Sequence, residues 1–179
     1  MKSELQTAHG PVSIRPVVEA DVAAFRDLRL GALQAHPEAF ESDYESNLAQ
    51  PPEFWQERVR RNTGSDMSII YVASTGEALV GMTGIYRPES VKARHSALIW
   101  GVYVRPVWRG QGVADALMMA CLDWARQNGV RIVKLGVATN NIAAIRRYLR
   151  CGFTVYGVEP EVIQWQGVYY DELLMIRKL

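Results

Sequence analysis

The chain has 179 residues, 49% of them hydrophobic and 22% charged, a length for about one domain and a composition that excludes disorder and fibrous repeats. Lysine and arginine number 20 against 19 acids, a net charge of +1, so no global field grips a nucleic-acid backbone and any anion site has to be local. The first ten residues, MKSELQTAHG, lack the apolar core of a signal peptide, no window approaches a membrane span, and two cysteines, Cys121 and Cys151, are too few for a disulfide scaffold or a four-ligand zinc site. A cytoplasmic protein with reduced thiols, no nucleic-acid partner and no membrane partner is expected.

In chain order, residues 1–10 read as a frayed tail ahead of one domain over residues 11–179. Val12–Val17 is a short apolar run stopped by Pro16, suited to an edge strand. Asp21 is placed to cap a helix whose apolar residues Val22, Phe25, Leu28 and Ala32 keep helical spacing until Pro37 ends it. HPEAFESDYESNLAQPP reads as a loop, and Pro51 and Pro52 open a second short helix with Phe54, Trp55 and Val59 on its apolar side. Met67–Ala73 and Ala78–Tyr86 read as a strand hairpin turning at Gly76, and His95–Val104 as a third strand.

Val113–Asn128 carries an apolar face of Val113, Ala116, Leu117, Ala120, Cys121 and Trp124 and stops at Asn128-Gly129. A strand over Arg131–Val137, a short helix over Asn141–Arg150 closed by Gly152, and strands within Phe153–Val158 and Val168–Ile176 complete the chain. This order describes a mixed α/β sheet covered by helices on both faces.

The junction between the strand ending at Val104 and the helix at Val113 reads RPVWRGQGVADAL. Gly110 and Gly112 let the backbone turn tightly, and the first helical N–H groups are unpaired donors at the positive end of the helix dipole, so this loop is built to cradle a phosphate. A dinucleotide fingerprint needs Gly or Ala where Asp115 stands, and a P-loop needs a Gly-Lys-Ser or Gly-Lys-Thr that is absent. The three histidines, His9, His36 and His95, have no paired spacing, and no metal is expected.

Arg109-x-x-Gly112-x-Ala114 after Val102-Tyr103-Val104 resembles the acetyl-coenzyme A signature of the GNAT superfamily of N-acetyltransferases. A second block, VATNNIAAIRRYLRCGF, places Asn141, Ala144, Tyr148, Gly152 and Phe153 at that family's spacing. With an opening Ile14-Arg15-Pro16 and a closing strand, the resemblance covers residues 12–177. It implies an α/β (α+β) fold: a mostly antiparallel sheet of six to seven strands, helices on both faces, and two splayed central parallel strands.

The resemblance also implies an acyltransferase that moves the acetyl group of acetyl-coenzyme A to a primary amine by direct attack in a ternary complex. Backbone N–H groups of Gln111, Gly112, Val113 and Ala114 would hold the pyrophosphate, with Arg109 and Gly110 shaping the loop, and the edge at Val102 and Val104 would pair with the pantetheine arm. A main-chain N–H at or beside Val104 would polarise the thioester oxygen. Asn141, or its neighbour Asn140, would cap the following helix or contact the cofactor; family spacing favours Asn141. Tyr148 occupies the proton-donor position, since a phenol can reprotonate a departing thiolate.

On the acceptor side the candidates are Phe40, Glu41, Asp43 and Tyr44 of FESDYE, whose acids would suit a cationic amine or else a solvated surface. In many relatives a glutamate stands six residues ahead of the final valine of the strand; here that position is Leu98. The proton acceptor is therefore open among Glu41, Asp43, Glu45, His95, Glu172 and water, and no single carboxylate is expected to be indispensable. The expected partners are a small-molecule or peptide amine, with a homodimer left open; a non-catalytic acyl-coenzyme A-binding module is the rival reading.

Overall fold

Sheet pairing begins almost at the start of the chain. The computed structural model describes residues 3–76 and 78–179, and Ser3–Thr7 (β1) folds back on Gly10–Pro16 (β2) as an antiparallel hairpin with Leu5 opposite Val12. This corrects the frayed tail read for residues 1–10, of which Met1 and Lys2 lie outside the described residues. Its support is long-range. The Ala8 N–H donates to Gln111 Oε1 at 2.8 Å, and the His9 ring stands edge-on to Trp108 with centroids 5.4 Å apart.

β3 (Ser68–Ser74), β4 (Leu79–Tyr86), β5 (Ser96–Val104), β6 (Ile132–Ala138), β7 (Thr154–Trp165) and β8 (Val168–Lys178) complete an eight-stranded sheet of order β1-β2-β3-β4-β5-β6-β8-β7. Among the described residues only β5 and β6 pair in parallel, and the other six pairings are antiparallel. The sheet thus has eight strands where six to seven were expected, and β1 is the addition. β2, read as an edge strand, is interior, because β1 covers it. β7 also runs on past Val158, as an edge strand that tolerates Pro160 beside an irregularity between Glu159 and Ile163.

The helices are α1 (Val22–Ala35), α2 (Tyr44–Leu48), α3 (Pro52–Arg61), α4 (Val113–Gln127) and α5 (Ile142–Arg150). The segment read as a loop after His36 holds a 3₁₀ turn at Pro37–Ala39 and α2, which forms because the Asp43 carboxylate accepts the Ser46 N–H at 2.7 Å. Asp21, expected to cap α1 with its side chain, instead accepts from Arg15 Nη1 and Nη2 at 2.6 and 2.9 Å and from the Val18 N–H at 2.9 Å.

Successive residues of β3 face opposite sides of the sheet, and this alternation divides the core. Ile69 and Tyr71 join Leu117, Met118, Cys121 and Leu122 of α4 on one face. Ile70 and Val72 join Phe25 and Leu28 of α1 and Trp55 and Val59 of α3 on the other. Among the described residues, no helix is long and apolar enough to cross a membrane.

Candidate active site

β5 and β6 pair through Ser96–Ile132, Ala97–Val133 and Leu98–Lys134, and the ladder stops there. Beyond it β5 stays bonded to β4 as far as Val104, and β6 stays bonded to β8 as far as Ala138. Each strand follows its outer neighbour, so the two diverge, and the facing edges at Ile99–Val104 and Leu135–Ala138 wall a cavity of about 550 Å³. Within β5, Gly101 and Val102 together oppose Thr83, a one-residue bulge with Gly101 at φ +65°. Only glycine takes that conformation without strain, and the bulge bends the strand where it leaves β6.

The loop closing the wide end is set by two left-handed glycines, Gly110 at φ +77° and Gly112 at φ +81°. The first bond of α4 runs from the Ala116 N–H to the Gly112 carbonyl at 2.9 Å, so the N–H groups before it have no intrahelical acceptor. Gly110 and Ala114 line the cavity, whereas Gln111, Gly112 and Val113 stand outside its lining. The Gln111 side chain is engaged elsewhere, accepting from Ala8 and donating to the Val107 carbonyl at 3.0 Å. Val113 is buried in the core.

Arg109 ties this loop to both neighbours. Its Nε donates to the Val104 carbonyl at 3.0 Å, and its Nη2 lies 2.9 Å from His36 Nε2. Arginine only donates, so this contact makes Nε2 the acceptor and puts the imidazole proton on Nδ1, which lies 3.9 Å from Glu38 Oε1.

On α5, Asn141 Oδ1 accepts the Ala144 N–H at 3.2 Å and caps the helix, while Asn140 and Asn141 both line the cavity. Tyr148 lines it too, packed edge-on against Phe153. Burial pushes its phenol well above the ordinary range; Arg147 opposes the rise, and Cys151 and Glu172 add to it. Arg147 Nη1 reaches Asp115 Oδ1 at 2.6 Å, joining α5 to the first turn of α4.

The acceptor-side candidates separate. Phe40 lines the cavity. Asp43 serves as the cap of α2, Tyr44 packs against the α1 and α3 core, Glu41 and Glu45 are exposed, and none of these four is in the cavity wall. His95 is exposed at the closed end of the β5–β6 divergence, with Nδ1 3.1 Å from the Lys92 carbonyl. Among the acids, Glu38 lines the cavity; Glu172 does not line it but stands beside β6. It lies opposite Ala138 in the β6–β8 ladder, and its carboxylate occupies the space above Gly136, where a methyl would overlap Oε2. Burial raises its pKa above the usual carboxylate range, with Glu41 and Glu159 adding to the rise.

Sequence reasoning missed His36, Trp100, Gly101 and Gly136, all in the cavity wall, and Arg29 behind it. The signal for Arg29 was present: it falls four residues after Phe25 and four before Leu33, on the buried stripe of α1.

Residues 31–153 match the model of the acetyltransferase (GNAT) family. The chain is 32% identical over 143 residues to an aminoglycoside N(6')-acetyltransferase type 1 of Klebsiella aerogenes, covering 79% of this chain and 88% of that one. It is 29% identical over 174 residues to the L-amino acid N-acetyltransferase AaaT of Escherichia coli, covering 93% and 97%. Three other curated relatives are matched over only 32%, 40% and 48% of their own length. Among solved structures, yncA from Salmonella typhimurium, determined with its cofactor acetyl-CoA, superposes with a TM-score of 0.81 at 23% identity over 94% of each chain, a likeness of fold. With the divergent parallel strands, the glycine loop and both sequence blocks on one sheet, the chain belongs to the GNAT family of acetyltransferases.

Proposed function

We propose that the chain transfers the acetyl group of acetyl-coenzyme A to an amine by direct attack within a ternary complex. The observation that carries this reading is the end of the β5–β6 ladder at Leu98–Lys134, which leaves a free strand edge beside the unpaired N–H groups of α4 and the phenol of Tyr148. A free edge accepts an extended amide-bearing arm as a further strand would be accepted, and a helix N-terminus suits a pyrophosphate. These features fit coenzyme A, which when bound supplies the acetyl group as a thioester. The cofactor in the yncA structure agrees with the assignment.

In this reading Val102 and Val104 offer backbone groups to the arm, and Gly110, Gly112 and Ala114 shape the anion cradle. Gln111 braces the cradle from outside, Arg109 holds it from within the cavity wall through Val104 and His36, and Asn141 fixes the start of α5. Tyr148 carries its proton at neutral pH as any phenol does, burial raises its pKa further, and that proton is placed for the sulfur that departs. Glu172 takes the proton of the incoming ammonium, aided by solvent, since Leu98 cannot. The relatives' names span aminoglycosides and amino acids, so family membership leaves the acceptor open.

Coenzyme A release from acetyl-coenzyme A, followed with a thiol reagent across a panel of amines, tests the transfer. Tyr148→Phe is expected to lower turnover by about 100-fold or more, with acetyl-coenzyme A affinity by calorimetry within threefold of wild type. Wild-type turnover in that variant would overturn the donor role. Binding without amine-dependent thiol release in the native protein would overturn the reaction.

A further inference from the structure

Arg29 is 3% exposed, and its guanidinium Nε and Nη1 are buried with no hydrogen-bond partner. A buried cation with two unmet donors is costly and is rare in a folded protein. Its surroundings supply no acid. The group lies over the Phe40 ring at 4.9 Å and the Trp100 ring at 5.8 Å, and Arg58 stacks on the same indole at 4.7 Å. Among the described residues neither arginine forms a salt bridge. Two cations thus share one tryptophan, and among the described residues no salt bridge neutralises either.

This charge sits directly behind the cavity. Phe40, Trp100 and Gly101 all belong to the cavity wall. At Gly101 the wall is backbone alone, and a methyl there would stand 3.6 Å from Arg29 Nη1. The unmet donor therefore lies behind a stretch of wall that carries no side chain. The two groups assigned to acyl transfer, Tyr148 and Glu172, come from elements on the β6 side of the divergence.

From this arrangement we infer that the acceptor is an amino acid, a molecule carrying a carboxylate as well as the reacting amine, and that the carboxylate pairs with Arg29 at Gly101. Such a ligand brings the acceptor that Nη1 lacks at Gly101, and the Nη1–Nη2 end of the planar guanidinium suits a carboxylate bidentately. The aromatic faces of Phe40 and Trp100 keep the guanidinium flat and exclude water from the pair. The inference rests on the acetyl-transfer reading for the amine, while the carboxylate site can be measured apart from it.

The test compares the 20 common L-amino acids with their neutral L-amino acid amides, which keep the amine and lose the charge. Turnover is read with acetyl-coenzyme A, and binding by calorimetry on protein loaded with coenzyme A. The native protein is expected to favour its best amino acid over the matching amide by about 100-fold, the scale for removing one partner of a buried charge pair. Arg29→Met is expected to reduce that ratio to within about threefold, with coenzyme A affinity retained as the check on folding. Arg29→Lys, which keeps the charge without the fork, is expected to give an intermediate ratio and serves if the methionine variant does not fold. Equal use of acid and amide by the native protein, or an undiminished ratio in both variants, overturns the inference. If no amine is acetylated the transfer reading fails, yet selective binding of amino acids over amides still upholds the carboxylate site, and equal or absent binding of both refutes it.

Discussion

Gly84 is the position at which one methyl group tests how the acceptor side is packed. It pairs directly with Trp100 across the β4–β5 ladder, and the indole lies flat over its Cα. A methyl at Gly84 would stand 2.5 Å from Cζ2 of Trp100 and nearer still to Cε2 and Nε1, against an ordinary carbon contact of about 3.5–4.0 Å. The gap of at least about 1 Å cannot be met by the backbone, because β4 is bonded to β3 on one side and β5 on the other. The indole must move.

Overpacking of this kind costs about 1–3 kcal/mol, and replacing a strand glycine by alanine returns about 0.5–1 kcal/mol. Moving the indole also weakens its contacts with Arg29 and Arg58, worth about 0.5–2 kcal/mol each. The expected net loss for Gly84→Ala is about 2–3 kcal/mol, the overpacking and cation–π terms less the glycine return. For a chain of this size that is a fall of roughly 4–12 °C in Tm by scanning calorimetry. The decisive measurement is the double-mutant cycle. In a Trp100→Ala background there is no ring to meet, so Gly84→Ala should be neutral or stabilising, a coupling of about 2 kcal/mol or more. Equal destabilisation in both backgrounds would refute the clash as its cause.

Two further outcomes follow from the site. Gly112→Asp puts a side chain at φ +81°, which costs about 1–2 kcal/mol, and adds a charge where the pyrophosphate would lie. Calorimetry should show acetyl-coenzyme A affinity falling by about 100-fold or more against a stability loss of only about 1 kcal/mol, since an acid at a helix N-terminus is itself favourable; unchanged affinity would remove the loop from the site. Glu172→Gln should lower turnover about tenfold, not abolish it, because solvent also accepts the amine proton. It should also alter the pH dependence of stability: the raised carboxyl pKa favours the folded state below the ordinary value of 4.5, and that contribution is lost as pH rises through the folded value. The Tm of the glutamine variant relative to wild type should therefore climb between pH 4 and pH 7, and a flat difference would contradict the burial of this carboxyl.

The parts of the fold that announce themselves in sequence are those whose cause is local. The apolar stripe of α4, its stop at Asn128-Gly129 and the alternation of β3 need only neighbouring residues to be read. β1 does not: SELQT carries one apolar residue, and its pairing depends on Ala8 meeting Gln111 across the fold. The far half of β7 is hidden for a related reason, since an exposed edge strand has mostly exposed side chains and accommodates Pro160 and the positive φ of Glu161. The loop glycines and Tyr148 were legible because a motif fixes their spacing. Arg29 was missed because helix reading places charges outward, although its spacing from Phe25 and Leu33 put it on the buried stripe of α1; the rings that cover it, Phe40 and Trp100, arrive from outside that helix.

α1 with its C-cap His36 approaches β5 at two places along the cavity, and regular structure sets the spacing between them. Along α1, Arg29 and His36 are seven residues apart, roughly two turns or about 10 Å. Along β5, Gly101 and Val104 are three residues apart, about 10 Å at full extension and somewhat less with the bulge at Gly101. Arg29 meets Gly101 at one end, and Arg109 bridges His36 and Val104 at the other. Helix and strand thus act as two struts of similar length, one pair of contacts fixing the carboxylate-pairing guanidinium and the other fixing the glycine loop. A site built this way holds its spacing better than one built on loops alone. It also gives Gly101 two duties that no other residue could combine: the left-handed bulge that bends β5 as it leaves β6, and the bare backbone that leaves Arg29 Nη1 against the cavity wall.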